Sequence, residues 1–87
     1  MHRPRQHLNI PTEIVRTVVA IAETGSLAKA GERLGLSQPA ISSQVKRLQS
    51  LVGGALFVRT ANGTTTTELG TVAVQQARRI LEANDQL

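Results

Sequence analysis

Short polar side chains cluster in residues 35–48, in a pattern that suits contact with a ligand better than it suits helix stability. Ile41, Val45 and Leu48 recur at helical spacing, which predicts a helix with one face packed on a core. Gln44 lies beside this face and is interpreted as solvated. Serine is a mediocre helix former, so repeated serines indicate a face with another use. The opposite side holds Gln38, Pro39, Ser42, Ser43 and Lys46.

This opposite face suits the edges of base pairs in double-stranded DNA, because the major groove admits one α-helix. Gln38 is the best candidate for reading a base, since glutamine can pair in bidentate fashion with adenine. Ser42 and Ser43 can reach bases or phosphates. Pro39 and Ala40 offer apolar contact to thymine methyl groups, although Pro39 also serves to start the helix.

The middle of the chain is basic and would attract a polyanion. The formal net charge is +4, and the six carboxylates leave residues 33–67 without an acid. Lys46, Arg47 and Arg59 lie there and are expected to bind phosphates, which set affinity more than sequence preference. The alternatives are an accidental gap between acids, a solvated Lys46, and an ion pair of Arg59 with Glu68.

The chain lacks the residues that an enzyme, a metal site or a membrane span would need. The chain has no cysteine, and its two histidines, His2 and His7, lie in the N-terminal segment. No convergent set of acids, bases and nucleophiles is visible, so we expect no enzyme, no metal and no cofactor. Phe57 is the only aromatic residue, which argues against stacking on single-stranded bases. Without a membrane-length apolar run or a signal segment, we expect a cytoplasmic protein, nucleoid-associated when bound.

Three helices are predicted in the first part of the chain. Thr12 is the expected N-cap of the first helix and Ser26 that of the second. Ser37 is first a cap of the third helix, which runs to about Val52, and only secondarily a ligand contact. Gly35 lies in the very short turn between the second and third helices, which is the signature of a helix-turn-helix.

A β-hairpin is predicted after the third helix. Residues 55–60 are rich in strand formers, residues 64–67 are threonines, and Asn62-Gly63 is a strong turn signal. Three helices followed by such a hairpin make a winged helix-turn-helix. Asn62 is primarily a turn former, and its place at the wing tip also suits a probe of the minor groove.

A long fourth helix is predicted from residue 68, with Thr67 as its cap. One broad face of this helix is uncharged, and one small domain cannot cover all of it. We expect a second copy to cover it in a helix–helix dimer. The alternative is that the helix packs back on its own domain. The predicted dimer face consists of Leu69, Val72, Ala73, Gln76, Ala77, Ile80, Leu81, Asn84 and Leu87.

The chain resembles the N-terminal DNA-binding domain of LysR-type bacterial transcriptional regulators over roughly residues 12–82. The resemblance is carried by "ETGSLAKAGERLGLSQPAISSQVKRLQSLVGGALFVRT" and then "TELG". Ser43 stands where many members carry Arg, Gln49 where Glu is usual, and Asn62 where a basic residue is common. The matching positions are Gly25-Ser26-Leu27, Ala30-Gly31, Ser37 to Ser42, Leu48-Gln49, Gly53, Leu56 to Arg59 and Thr67 to Gly70.

We expect a mainly α-helical winged helix-turn-helix domain (12–67) between a basic arm (1–11) and a linker or dimerisation helix (68–87). The resemblance implies binding to pseudo-palindromic promoter or operator DNA as a homodimer, or as a tetramer in a full-length protein. It also implies that a small-molecule effector binds a further domain, which an excised DNA-binding domain would lack. The competing hypothesis is a winged-helix module that dimerises without DNA. The candidate DNA contacts are Ser26, Lys29, Ser37, Gln38, Pro39, Ala40, Ser42, Ser43, Lys46, Arg47, Arg59, Asn62 and Thr67.

Overall fold

Four helices and one hairpin form the fold in a computed structural model that describes residues 10–85. In chain order they are α1 (Thr12–Thr24), α2 (Leu27–Leu34), α3 (Gln38–Val52), β1 (Phe57–Thr60), β2 (Gly63–Thr66) and α4 (Glu68–Asp85). The two strands pair antiparallel, with Phe57 opposite Thr66. The predicted winged helix-turn-helix followed by a long helix is confirmed. Residues 1–9 of the predicted arm and the predicted dimer contact Leu87 lie outside the described residues.

Side-chain caps begin three of the helices, as predicted. Ser26 Oγ and Ser37 Oγ each accept the backbone N–H three residues later, at 3.1 and 3.2 Å. Thr67 Oγ1 does the same at 2.9 Å. The prediction for Thr12 is wrong, because α1 already begins at Thr12 and its N-cap is Pro11. The Pro11 carbonyl oxygen accepts the N–H groups of Ile14 and Val15 at 3.0 and 3.3 Å, and no side chain caps the start of the helix.

Helix α1 lies at the centre of the core and packs on different sides against the other helices. Ile41, Val45 and Leu48 are buried, which confirms the predicted inner face of α3 and leaves its opposite face to solvent. Each fully buried aliphatic side chain contributes roughly 1.5–3 kcal/mol to stability. One cluster contains Ile14, Val15, Val18, Val19, Leu48, Leu56, Val74 and Ala77. The other contains Ala20, Ile21, Ala30, Ile41 and Val45.

The turn of the hairpin lies one residue before the predicted Asn62-Gly63 turn. The strand register pairs Thr60 with Gly63, so the two turn residues are Ala61 and Asn62. Neither has a positive φ, whereas the type I′ turn that Asn-Gly usually forms requires two. Thr60 Oγ1 accepts the Asn62 N–H at 3.2 Å, which stabilises the turn that is observed. Gly63 is the first residue of β2 and has a φ of +130°.

Helix α4 starts against the base of the wing. The Thr67 N–H donates to the Leu56 carbonyl oxygen at 3.0 Å, and Gly70 follows in the first turn of the helix. A Cβ on Gly70 would overlap that same carbonyl oxygen, so this close approach requires glycine. No helix in residues 10–85, α4 included, is both long enough and apolar enough to cross a membrane.

Candidate nucleic-acid interface

The outer face of α3 presents the residues that were predicted to touch a ligand. Gln38 and Pro39 are exposed in the first turn, and Ser43 is exposed in the next. Lys46 and Arg47 extend the exposed surface along the helix. The buried aliphatic face of α3 holds the helix on the core, so this polar surface is presented to solvent by a fixed element.

Two predicted contacts lie at the margins of this surface, and one residue on it was not predicted. Ala40 and Ser42 are half-buried. Ser50 is exposed and lies seven residues after Ser43, on the same side of the helix. The seven-residue spacing from Ser43 is visible in the sequence, and it could have identified Ser50 as a further candidate contact.

The serine and threonine caps differ in what they can still donate. Within residues 10–85, the Ser26 and Ser37 hydroxyls accept a backbone N–H and donate to no other group. Their hydrogens therefore remain available to a phosphate oxygen. The Thr67 hydroxyl accepts from its own helix and donates to the Ala55 carbonyl oxygen at 2.7 Å. Thr67 is thus a structural cap whose one hydroxyl hydrogen is already used, and its DNA contact stays a prediction.

Uncompensated positive charge surrounds the outer face of α3. Both ion pairs within residues 10–85 involve Glu23, which binds Arg33 at 2.6 Å and Arg78 at 3.5 Å. Arg33 therefore does not add to the free charge of the acid-poor region. The alternative pairing of Arg59 with Glu68 is not formed. In α2, α3 and β1 the exposed cations that pair with no carboxylate within residues 10–85 are Lys29, Lys46, Arg47 and Arg59; Arg16 of α1 and Arg79 of α4 are exposed and unpaired as well.

A polar cleft of about 380 Å³ lies between the helix-turn-helix and the wing. Gln38 lines this cleft from the start of α3, and Arg59 lines it from β1. Ser26, the cap of α2, belongs to the same lining, and Asn62 is exposed nearby at the wing tip. The fold therefore brings the candidate base reader and the wing cation to one opening, which the sequence alone did not show.

Two glutamines of α3 hold the helix in place, which the sequence did not show. Gln44 was interpreted as solvated, but its Oε1 lies 2.5 Å from Oγ1 of Thr17, a residue that is 0% exposed. Gln49 Oε1 accepts the Leu56 N–H at 2.8 Å. The side-chain amide of Gln therefore makes this bond at a position where the resemblance predicts Glu. Thr17 within the apolar run of α1 gave no signal for Gln44, because its hydroxyl also lies 2.9 Å from the Glu13 carbonyl oxygen, a partner within its own helix.

Helix α4 divides its apolar residues between its own core and the surface. Leu69, Val72 and Ile80 are 41%, 52% and 46% exposed. Ala77 is only 6% exposed and packs in the core of its own chain, so its assignment to an open dimer face is corrected. Val74, which the prediction left out, occupies the same inner side. The alternative in which α4 packs on its own domain therefore holds for one side of the helix.

The remaining predicted dimer residues border an apolar groove of about 290 Å³ or lie further along α4. Gln76 is exposed and Ala73 half-buried at this groove, which Ile80 also lines. Leu81 is half-buried and Asn84 is exposed beyond it. The outer side of α4 thus offers a partly apolar surface, for which the dimer stays a prediction.

Comparison with known proteins identifies the family. Residues 13–71 match the family model described as "Bacterial regulatory helix-turn-helix protein, lysR family". The chain belongs to the LysR family. The resemblance read from the sequence is confirmed, and so is the prediction of a regulatory helix-turn-helix protein in place of an enzyme.

Curated relatives of this LysR-type chain are regulatory proteins. It is 42% identical over 67 residues to the small neutral protease regulatory protein of Streptomyces coelicolor, covering 77% of this chain and 20% of the relative. It is 37% identical over 78 residues to the HTH-type transcriptional regulator DgdR of Burkholderia cepacia, covering 90% and 26%. The chain therefore spans only 20–26% of the length of these relatives.

Solved LysR-type domains share the fold. The CbnR DNA-binding domain, in a crystal structure with DNA, gives a TM-score of 0.81 at 34% identity, covering 87% of each chain. The BenM DNA-binding domain, in complex with catB site 1 DNA, gives a TM-score of 0.83 at 32% identity, covering 87% of this chain and 84% of that one. Both likenesses extend over most of the chain.

Proposed function

We propose that this LysR-type domain binds double-stranded promoter or operator DNA, with α3 in the major groove and the wing on the flanking backbone or minor groove. The observation that carries the proposal is the two-sided character of α3. Its aliphatic side is buried, whereas Gln38, Ser43 and Lys46 are exposed among cations that pair with no carboxylate in residues 10–85. The similar CbnR and BenM domains, which were solved with DNA, support the same use.

The candidate contact groups divide into those that read sequence and those that bind the DNA backbone. Gln38, Ser42 and Ser43 have the donors and acceptors to hydrogen-bond base edges. The free hydroxyl hydrogens of Ser26 and Ser37 suit phosphate oxygens at the starts of α2 and α3. The four unpaired cations of α2, α3 and β1 named above supply attraction that does not depend on sequence, and Asn62 is placed to probe the minor groove.

The proposed assembly is a homodimer through the outer side of α4, or a tetramer in a longer chain. Leu69, Val72 and Ile80 supply exposed apolar surface on that helix. A two-fold dimer would present two α3 helices to successive half-sites of a pseudo-palindrome. A longer chain of this family would also carry the effector-binding domain, and the proposed location is the bacterial cytoplasm.

The experiment is a fluorescence anisotropy titration of a labelled duplex, selected from a random pool by repeated binding, at several salt concentrations. Each phosphate contact lowers the slope of log K against log salt by about 0.9, so four cations predict a slope of roughly −3.6 per copy. Lys46→Ala should weaken binding to all duplexes alike and reduce the slope by about 1. Gln38→Ala should instead reduce the preference for the selected duplex over a scrambled one.

A protein-interaction module without DNA binding is the competing function. It predicts dimerisation with no salt-dependent affinity for any duplex, and that result would refute the proposal. Uniform loss of affinity in both variants would refute the division of roles between Gln38 and Lys46 while leaving DNA binding intact.

A further inference from the structure

Within residues 10–85, one backbone hydrogen bond connects the wing to the helix-turn-helix. The Thr64 N–H donates to the Gly25 carbonyl oxygen at 2.9 Å. Gly25 follows α1 directly and precedes Ser26, the cap of α2. The wing is therefore bonded to the link between the first two helices, next to one of the proposed phosphate contacts.

Gly63 permits this contact because of both its backbone conformation and its lack of a side chain. Its φ of +130° lies in a region that residues with side chains rarely adopt. A Cβ at this position would also lie 2.6 Å from the Gly25 carbonyl oxygen. That oxygen belongs to the backbone, so it cannot rotate away as a flexible side chain could. Any larger residue must displace the tip of the wing from the helices.

The hydrogen bond between Thr64 and Gly25 affects the position of Arg59. The strand register places Arg59 opposite Thr64, the residue that bonds to Gly25. Arg59 also lines the cleft that Gln38 lines from α3. The distance between these two side chains thus depends on how closely Thr64 and Gly63 approach Gly25.

The other anchors of the hairpin lie at its base, where Thr66 Oγ1 is 2.9 Å from Thr71 Oγ1 of α4. Leu56 is fully buried and Phe57 is half-buried, so they hold the base of the hairpin on the core. The residues from 58 to 62 are all exposed. A substitution that breaks the contact with Gly25 is therefore expected to move the tip while the base and the helices keep their places.

From this geometry we infer that the Gly25–Thr64 contact, made possible by Gly63, sets the spacing between the wing and α3, so that Gly63 is a positioning residue for DNA binding. This inference rests on the proposed function. In the proposed mechanism Gly63 does not contact DNA itself, and it affects binding through the position of Arg59. Helix α3 and the wing must contact adjacent parts of one duplex. If the distance between them changes, the wing loses its contact with the DNA while α3 can still bind.

The test compares Gly63→Ala with Gly53→Ala. Gly53 also has a positive φ, +83°, but a Cβ there meets no atom within 4 Å, so it controls for backbone strain alone. Thermal melting verifies that each variant folds. If Gly63→Ala does not fold, Thr64→Pro replaces it as the test variant, because proline lacks the N–H that bonds to the Gly25 carbonyl oxygen. Hydroxyl-radical footprints and affinities are measured on the selected duplex.

We expect Gly63→Ala to keep protection under α3, to lose protection at the wing flank and to bind on the order of tenfold more weakly. Arg59→Ala should weaken the wild-type chain and Gly53→Ala but have little further effect in Gly63→Ala, since a displaced Arg59 has no contact left to lose. Additive effects of Gly63→Ala and Arg59→Ala, or an unchanged flank footprint, would overturn the inference. Absence of binding by the wild-type chain would instead overturn the proposed function itself.

Discussion

Single hydroxyl groups cap the starts of the helices, and some of them keep a hydrogen free for the proposed phosphate contacts. Ser37 Oγ accepts a backbone N–H and so stabilises the start of α3, while its hydrogen remains available to a phosphate. Thr67 has the same kind of cap but gives its hydrogen to the Ala55 carbonyl oxygen. The sequence predicts both caps correctly because capping is local. It cannot predict which hydroxyl hydrogen stays free, since that depends on the neighbouring loop in the folded chain.

The two roles of Ser37 can be separated by one substitution. Aspartate caps a helix about as well as serine, so Ser37→Asp should leave the melting temperature nearly unchanged. The added negative charge would face the DNA backbone and should weaken binding at least tenfold at low salt. Ser37→Ala is the matched variant, because it should cost about 1 kcal/mol of stability and have the smaller effect on binding. Equal affinities of Ser37→Asp and wild type would show that Ser37 lies away from the DNA.

Secondary-structure elements were predicted well where the sequence signal was local and less well where a tertiary contact decides the structure. Aliphatic spacing and caps located the helices, and the four threonines located the return strand. The hairpin turn was misplaced by one residue because a local pattern does not show the hydrogen bond of the Thr64 N–H to the Gly25 carbonyl oxygen, which fixes the start of β2. The uncharged face of α4 was predicted as one surface. The fold divides it, because only the side with Val74 and Ala77 meets the core.

The junction of α4 with the wing base is a sensitive point of the fold. In an open helix, Gly70→Ala would stabilise by roughly 0.5–1 kcal/mol. Here the new Cβ would overlap the Leu56 carbonyl oxygen, so we expect a net loss of about 1–3 kcal/mol. The melting temperature should fall by roughly 4–8 °C for each kcal/mol. Gln75→Ala, at an exposed position of α4, is the control and should leave it nearly unchanged. An unchanged or raised melting temperature of Gly70→Ala would contradict the packing of α4 on the wing base.

At the scale of the whole molecule, the surface of the chain has two regions of different character. One contains the outer face of α3 and the wing, where cations lack carboxylate partners within residues 10–85. The other is the outer side of α4, with exposed Leu69, Val72 and Ile80. We assign the first to DNA and the second to a second copy of the chain.

Dimerisation through α4 predicts a specific loss when charge is introduced there. Val72→Asp and Ile80→Asp should shift the sedimentation coefficient from dimer to monomer, because a carboxylate would have to be buried in an apolar contact. Affinity for a duplex with two half-sites should fall, while affinity for one half-site should persist. Gln75→Asp adds the same charge to an exposed polar position of α4 and should have little effect. A wild-type chain that sediments as a monomer at all accessible concentrations would contradict this use of α4.

Backbone amide chemical shifts test most directly whether α3 and the wing bind duplex DNA. The selected duplex is added to the isotopically labelled chain, and the perturbed amides are mapped on the structure. We predict large perturbations for residues 37–47, for Ser26 and for residues 59–62, with small ones along the half of α1 buried against α4. Perturbations confined to α4, or none at low salt with excess duplex, would contradict the assignment of this face to DNA.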